Sequence, residues 1–513
     1  MNDRLRWPIC TLLACMALLF ASCSPNPPPR IDEVRIAVGS LPPSLANPFR
    51  GNGRPGSLVW SAVFDALTRF DEKNQLQPGL ATHWELVSPT VWRFTLRDGI
   101  SYSDGSVFDS AAVVAVMDWL KSPAGQRTMM GRELRIVKNT RALGRLAVEI
   151  ETEVPDPILP RRMTAVYMVE PKAWAKLGPD AFAQRPVGTG AFMLTDWNPR
   201  RRQLTMSRNP TSWRNTVLQR VILVELPNGA SRTQALLSQD VDVAFVDLED
   251  TPRLKRDGMR VLTTPSDQVK AFTFRITGGD PKSPIQDVRV RRALNYAIDK
   301  DAISKSLLDR PAPSGQPASR GSFGYDPTIP PYPYDPSRAR ALLAQAGYPK
   351  GFPLVMSVLK NTAPGDDMVA QEVAEYWRQV GVPTTLKVIT YPEFSRKYAM
   401  NGWTSDVISV SWNTYQYHDV TRPMEDFSCN RAKPFFCDPK ITAQFEVAKQ
   451  ILDDRERLIA YQALGRAYRD AAPSAFIVEH RDVIAFNPRL TNFRMRQRVP
   501  DYEIMRWTSR RER

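Results

Sequence analysis

Residues 332–352 are YPYDPSRARALLAQAGYPKGF, a stretch that carries the signals of one complete helix. Asp335 is placed to cap the helix, and Pro336 suits the first turn, where its missing N–H is not needed. Gly347 lies where the pattern stops, and glycine is the residue that most often follows the last turn of a helix. The stretch therefore predicts a helix with Asp335 at its cap and Gly347 at its end.

The chain around this helix alternates between helical and extended patterns. MVAQEVAEYWRQVGV (368–382) predicts a helix that stops at Gly381, and TTLKVI (384–389) predicts a strand after it. The stretch from Ile441 to Ala471 predicts one long helix, which is followed by strand patterns in AFIVEH (475–480) and VIAFN (483–487). Strands that alternate with helices indicate α/β lobes, and 513 residues are enough for two or three domains.

The charge balance excludes one class of partner. The net charge is +15, with 24% charged and 42% hydrophobic residues. The arginines are scattered, and the runs are as short as Arg200–Arg202, without a basic stripe that carries interleaved aromatic residues. We therefore expect a solvated basic surface and no nucleic-acid partner.

The N-terminus indicates export. Arg4 and Arg6 precede the apolar run CTLLACMALLFA (10–21), which is too short to span a bilayer comfortably. FASC (20–23) resembles a bacterial lipobox, which implies cleavage before Cys23 and lipidation of its thiol. Residues 1–22 are then a lipoprotein signal peptide and residues 23–32 a Pro-rich tether. Secretion without a lipid is the alternative, and both options place the body outside the cytoplasmic membrane, on its periplasmic or extracytoplasmic face.

The remaining cysteines fit an oxidising compartment. Only Cys429 and Cys437 lie in the body of the chain, and a pair spaced eight residues apart in an exported protein predicts a disulfide. Two thiolates without a second pair, in a chain that has three histidines, make a metal site a weak alternative.

Six sequence blocks, taken in order, resemble the family 5 extracellular solute-binding proteins of peptide, nickel and opine ABC importers. The blocks are GLATHWEL (79–86), FTLRDGISYSDGS (94–106), PVGTGAFML (186–194), DVRVRRALNYAIDKDAI (287–303), residues 332–352 and DFSC (426–429). Gly188 and Gly190 of the third block suit a tight turn before a strand. The block lacks the lysine and helix of a phosphate-binding loop.

The resemblance implies a bilobal α/β periplasmic-binding-protein fold of the class II, three-domain type, with a cleft between the lobes. It implies a two-strand hinge, which we place near Lys270–Arg275 and Phe476–Glu479. The implied discontinuous N-terminal lobe comprises residues 33–70, 185–269 and 480–513. The inserted smaller domain comprises residues 71–184, and the C-terminal lobe comprises residues 270–479.

The stretch SWNTYQYHDV (411–420) takes its role from the same resemblance, which implies that it lines the cleft. Dipeptide-binding relatives place an aspartate three residues after the tryptophan, where it pairs with the peptide ammonium, and this chain has Tyr415 there. A phenol supplies no countercharge, so Asp419 is the candidate for a shifted partner. The arginine that clamps the peptide carboxylate in such relatives corresponds to a position at or beside Lys360. The expected ligand-binding residues are Lys360, Trp412, Asn413, Tyr415, Gln416, His418 and Asp419.

His418 and Asp419 also invite a catalytic or a metal interpretation. Adjacent side chains in an extended segment point in opposite directions, so they are poorly placed for a catalytic dyad. No nucleophile motif, carboxylate pair or metal-binding helix accompanies them. We therefore expect a protein that is not an enzyme and needs no cofactor, with nickel or haem capture through His418 as a minor alternative.

The resemblance implies a monomeric substrate-binding lipoprotein of an ABC importer. Such a protein captures a peptide-like or opine-like small solute and delivers it to membrane permease subunits. An oligosaccharide-binding protein of the same fold is one alternative, because Trp412, Tyr415 and Tyr417 could stack on a sugar. A sensor or chaperone without a dedicated permease is the other.

Overall fold

The computed structural model of the chain describes residues 32–51, 53–308, 311–359, 366–390, 393–394, 396–397, 402–431 and 434–508. Its strands are β1 Glu33–Val38, β2 Thr68–Phe70, β3 Leu76–Pro78, β4 Ala81–Ser88, β5 Val91–Leu96, β6 Val137–Ala142, β7 Ala147–Thr152, β8 Phe192–Asn198, β9 Gln203–Arg208, β10 Arg220–Glu225, β11 Val243–Phe245, β12 Arg260–Phe274, β13 Leu354–Leu359, β14 Thr384–Ile389, β15 Val407–Ser409, β16 Trp412–Asn413, β17 Ser474–Phe486, β18 Leu490–Thr491, β19 Met495–Arg496, β20 Val499–Pro500 and β21 Arg506–Trp507.

The α-helices lie between and beside these strands. They are α1 Ser57–Val63, α2 Ser110–Lys121, α3 Met129–Glu133, α4 Leu159–Arg162, α5 Pro171–Gln184, α6 Gly229–Leu237, α7 Thr251–Arg256, α8 Val288–Tyr296, α9 Lys300–Leu307, α10 Pro336–Gln345, α11 Asp366–Gln379, α12 Thr421–Asp426, α13 Pro439–Ala448 and α14 Asp454–Ala471. Within the described ranges, no helix has the length and apolarity needed to cross a membrane.

One large mixed sheet runs through the molecule. Its strand order is β14-β13-β15-β12-β17-β11-β1-β10-β9-β8, and β16 pairs with β12 beside this path. Two neighbouring strands in the interior of the sheet, β12 and β17, are the longest, with 15 and 13 residues. They run antiparallel to each other, so they connect the strands on either side.

The pairing of β12 with β17 changes register near its middle. Arg260 to Pro265 pair with Phe486 to Arg481, and the register then shifts before Val269 pairs with Glu479. This break separates two bodies. We call residues 32–265 and 481–508 the first lobe, and residues 269–479 the second lobe.

Each lobe has its own hydrophobic core. In the first lobe, Val34 and Ile36 of β1 share a buried cluster with Phe94 and Val148 from the four-stranded sheet β4-β5-β7-β6. In the second lobe, one cluster surrounds Trp377 and another surrounds Trp412. Mixed α/β lobes joined by two long strands confirm the fold class expected from the sequence, including the two-strand hinge.

Capping residues in the sequence predicted the ends of one helix correctly, but the break within another predicted helix was missed. The helix after Asp335 is confirmed as α10, and the Asp335 carboxylate caps it by accepting a hydrogen bond from the N–H of Arg338 at 2.8 Å. The single helix predicted over Ile441–Ala471 is wrong, because the chain forms α13 and α14 with a break between them. Asp453 accepts a hydrogen bond from the N–H of Glu456 at 2.8 Å, and such a cap starts a new helix.

Candidate functional site

A large cavity of about 1510 Å³ lies between the two lobes. Its first-lobe wall includes the residues after β1 and β11, and its second-lobe wall includes the end of β15 and the start of β16. Clefts between lobes are preferred positions for small-molecule sites, because both bodies can surround a ligand there. The cavity is therefore the candidate binding site.

Trp412 borders this cavity but serves mainly as a core residue. It has no exposed surface, and its indole lies parallel to the ring of Phe427 with centroids 3.7 Å apart. Its Nε1–H donates to the hydroxyl of Ser474 at 3.0 Å. The stacking on a solute expected of Trp412 is therefore restricted, because a face and the polar edge of its ring already have protein partners.

The next three predicted residues lie at two different places. Asn413 borders the large cavity, and its side-chain oxygen accepts a hydrogen bond from the N–H of Tyr415 at 3.0 Å. Tyr415 and Gln416 instead border a second cavity of about 120 Å³. The hydroxyl of Tyr415 packs against Gly53 so closely that a Cβ atom at Gly53 would lie 1.6 Å from it.

His418 and Asp419 border neither of these cavities in the described chain. Asp419 is fully buried, and its Oδ1 accepts hydrogen bonds from the N–H and the hydroxyl of Thr421 at 2.8 and 2.6 Å. Burial raises the pKa of Asp419, which opposes its charged form. The Nδ1 atom of His418 lies 3.1 Å from Asp267. This placement does not support the ligand contacts expected of His418 and Asp419.

Two predicted residues lie outside the described part of the chain, namely Lys360 and the lipidation site Cys23. The flanking Leu359 and Asp366 both border the large cavity. The predicted pair Cys429 and Cys437 is joined in a disulfide. No group of three or more potential metal ligands occurs in the described ranges.

A polar network at the hinge was not singled out from the sequence. The ammonium of Lys270 donates to Ser409 at 2.9 Å and lies 2.8 Å from Asp366, with both charged groups buried. Nε2 of His480 lies 3.0 Å from the hydroxyl of Ser411. Burial lowers the pKa of His480 to about 4, so its imidazole is neutral at pH 7. This wall of the cavity therefore carries a compensated ion pair and neutral hydrogen-bonding groups.

A second missed cluster lies on the first-lobe wall. Asp482 is 3% exposed and accepts hydrogen bonds from Nε and Nη2 of Arg498, both at 2.8 Å, and from Nη2 of Arg54. Burial alone would raise the pKa of Asp482, but Arg498 and Arg54 hold it well below its usual range. Burial lowers the pKa of Arg54 to about 10, which still leaves the group charged at pH 7.

Direct contacts at and beside the cavity wall join the lobes. On the first lobe, Glu133 ends α3, and its carboxylate accepts hydrogen bonds from Gln416 at 2.9 Å, from Arg422 at 3.3 Å and from the hydroxyl of Tyr417. Arg162 of the first lobe donates to Glu425 at 2.7 Å. The segment expected to line the cleft therefore connects the two lobes instead of facing a solute along its whole length.

The sequence contained one signal for the missed residues. His480, Arg481 and Asp482 interrupt an apolar strand pattern, and charged groups in such a strand are rarely buried unless paired. Their partners could not be read from the pattern, because Arg54 lies 428 residues from Asp482 along the chain.

Comparison with known proteins supports the same fold. Residues 75–434 match the family described as bacterial extracellular solute-binding proteins, family 5 Middle. The glutathione-binding protein GsiB of Pectobacterium atrosepticum is 26% identical over 483 residues, which cover 89% of this chain and 90% of the relative.

Solved structures show the same architecture at lower identity. The dipeptide-binding protein of Pseudoalteromonas sp. SM9913 in complex with Met-Leu gives a TM-score of 0.82 at 17% identity, covering 93% of this chain and all of that one. The protein MoaA in complex with mannopinic acid, from A. tumefaciens R10, gives a TM-score of 0.81 at 20% identity, covering 94% of this chain and all of that one.

The family match spans well over half of the chain, and it coincides with a two-lobed structure that holds a large cavity at its hinge. The chain therefore belongs to family 5 of the bacterial extracellular solute-binding proteins, the solute-capturing components of ABC importers.

Proposed function

We propose that the protein captures a peptide-like or opine-like solute in the interlobe cavity and delivers it to an ABC permease as a monomeric, lipid-anchored binding protein. The observation that carries the proposal is the large cavity, whose walls come from both lobes of a family 5 protein and include charged residues of each lobe. Glutathione is the first peptide-like candidate, because the GsiB relative is a glutathione-binding protein.

The binding proposal predicts a defined ligand preference. In calorimetric titrations of the mature protein, at least one of glutathione, Met-Leu and mannopinic acid should bind in a one-to-one complex. Maltotriose and unfolded casein should not bind. Ser40 is exposed and borders the cavity, so Ser40→Trp should fill part of the binding space and lower the affinity for the solute by about tenfold or more.

A matched variant separates this effect from damage to the fold. Ser231→Trp places the same side chain at an exposed serine of α6, which borders neither described cavity, so it should leave affinity unchanged. Binding of maltotriose alone would favour an oligosaccharide-binding protein. Binding of casein alone would favour a chaperone.

The lipid anchor is a separate proposal that rests on the lipobox-like FASC sequence ending at Cys23. Cys23→Ala should move the protein from the membrane fraction to the soluble periplasmic fraction and stop its labelling by radioactive palmitate. Cys15 lies inside the apolar run, where LLAC (12–15) also fits the lipobox pattern but leaves a shorter apolar segment. Cys15→Ala is therefore the matched control and should leave both properties intact. A Cys23→Ala protein that stays labelled would show that another residue carries the lipid.

A further inference from the structure

The cluster of Arg54, Asp482 and Arg498 presents an excess of positive charge to the cavity. All three residues border it, and two guanidinium groups share one carboxylate. A single carboxylate cannot neutralise two arginines, which both remain protonated at neutral pH. The first-lobe wall therefore has a local charge of about +1 at this point.

The arginines keep N–H groups that Asp482 does not use. Asp482 engages Nη2 of Arg54 together with Nε and Nη2 of Arg498. Nε and Nη1 of Arg54 and Nη1 of Arg498 have no acceptor in the described part of the chain. The two side chains are 18% and 11% exposed, so these donors can still meet a solute.

Each of the two guanidinium groups lies over the face of an aromatic ring. Cζ of Arg54 lies 4.5 Å from the ring centroid of Phe245, and Cζ of Arg498 lies 5.4 Å from that of Tyr415. Rings that pack against guanidinium groups exclude water and limit their rotation. What stays available is the planar edge, which matches the two oxygens of a carboxylate.

Neighbouring carboxylates do not pair directly with the two arginines. Asp366 is paired with Lys270 at 2.8 Å. Asp267 favours the charged form of Arg498 electrostatically, but its carboxylate lies 3.1 Å from Nδ1 of His418 and accepts a hydrogen bond from the amide of Asn74 at 3.2 Å, and within the described ranges it forms no salt bridge with Arg498. The residues of this region therefore suit a solute anion better than a solute ammonium group.

We propose that Arg54 and Arg498 form an anion subsite that binds a carboxylate of the solute, an inference that rests on the proposed function. Asp482 holds the two guanidinium groups in place and is the positioning residue of the subsite. The ligand class narrows to solutes with at least one free carboxylate, such as glutathione, a dipeptide or an opine acid. A free ammonium group is not required.

The inference is tested with two acids and their neutral counterparts. The probes are glutathione and its diethyl ester, and Met-Leu and its C-terminal amide, titrated against wild type, Arg54→Gln and Arg498→Gln. Wild type should bind at least one acid 10–100-fold more tightly than its neutral counterpart, which is the usual range for a charge-assisted contact. The affinity of each variant for the acid should fall by about that factor, whereas its affinity for the neutral probe should stay close to that of wild type.

Arg50→Gln is the matched control. Arg50 also borders the cavity, but it pairs with the exposed Asp180 at 2.6 Å, so its removal changes the net charge equally without touching the subsite. Each single variant of the cluster keeps one arginine on Asp482, and unchanged melting temperatures of the ligand-free proteins would show that the fold is intact.

The outcomes separate the subsite from the proposed function. Acid binding that falls no further in Arg54→Gln and Arg498→Gln than in Arg50→Gln would overturn the subsite and leave the proposed function standing. Wild type that binds the ester and the amide as tightly as the acids would overturn it as well. If neither acid binds wild type, the proposed function fails for peptide-like solutes, and mannopinic acid is titrated against the same proteins. The subsite is then overturned if mannopinic acid does not bind wild type or binds Arg54→Gln and Arg498→Gln as tightly as Arg50→Gln.

Discussion

Replacing Arg162 with methionine should lower the free energy of unfolding by about 3–5 kcal/mol, the range observed when one partner of a buried ion pair is removed. Arg162 is 2% exposed, and its Nε donates to Asp156 at 2.9 Å. Asp156 is equally buried, so the variant leaves a carboxylate in the protein interior without its cation. The contact with Glu425 on the second lobe is lost at the same time.

The loss should depend on pH in a defined direction. Burial raises the pKa of Asp156, and Arg162 opposes that effect in wild type. Without Arg162 the folded-state pKa lies further above the unfolded value of about 4, so the folded state binds more protons than the unfolded state in the window between them. Stability then falls as pH rises through this window, and the deficit of the variant should be larger at pH 7 than at pH 4.

Urea denaturation at both pH values measures this effect, and two variants serve as controls. Arg145→Met removes an exposed ion pair with Asp98 and should cost less than about 1 kcal/mol. Adding Asp156→Asn to Arg162→Met removes the buried charge and should recover part of the loss. A loss as small as that of Arg145→Met would contradict the role assigned to Arg162.

The contact of Arg162 with Glu425 could not be predicted from the sequence, because the two residues are 263 positions apart and lie on different lobes. Local signals act over a few residues, so the cap at Asp335 and the end at Gly347 could be predicted. The break before α14 could have been found by the same reasoning, because Asp453 followed by Glu456 is a helix-start pattern. The order of the six blocks predicted the two lobes and the hinge.

The site was harder to predict from the sequence than the fold, because it is assembled from distant parts of the chain. The stretch 411–420 lies at the junction of the lobes, but its position could not show that the Tyr415 hydroxyl packs against Gly53 or that Asp419 is buried and accepts hydrogen bonds from Thr421. The arginines on Asp482 come from positions 428 and 16 residues away. Only the hinge strand β17, which carries Asp482 along the cavity, brings them together.

The sequence also does not show how two glycines of residues 332–352 differ in their surroundings. Gly347 and Gly351 both have positive φ, at 95° and 72°, a conformation that costs an L-residue about 1 kcal/mol or more. Their surroundings differ. A Cβ atom at Gly347 would have no neighbour within 4 Å, whereas one at Gly351 would lie 1.7 Å from the carbonyl oxygen of Gly381.

Gly351→Ala should therefore lower the free energy of unfolding by about 3 kcal/mol or more, and Gly347→Ala by about 1 kcal/mol. The colliding atom at Gly351 belongs to the backbone, so no side-chain rotation relieves the contact. Moving that carbonyl would break the hydrogen bond it accepts from the N–H of Phe352 at 3.2 Å, directly before β13 and β14 pair at Leu354 and Thr384. Urea denaturation of both variants measures the difference, and equal losses would show that the segment at Gly381 can move without cost.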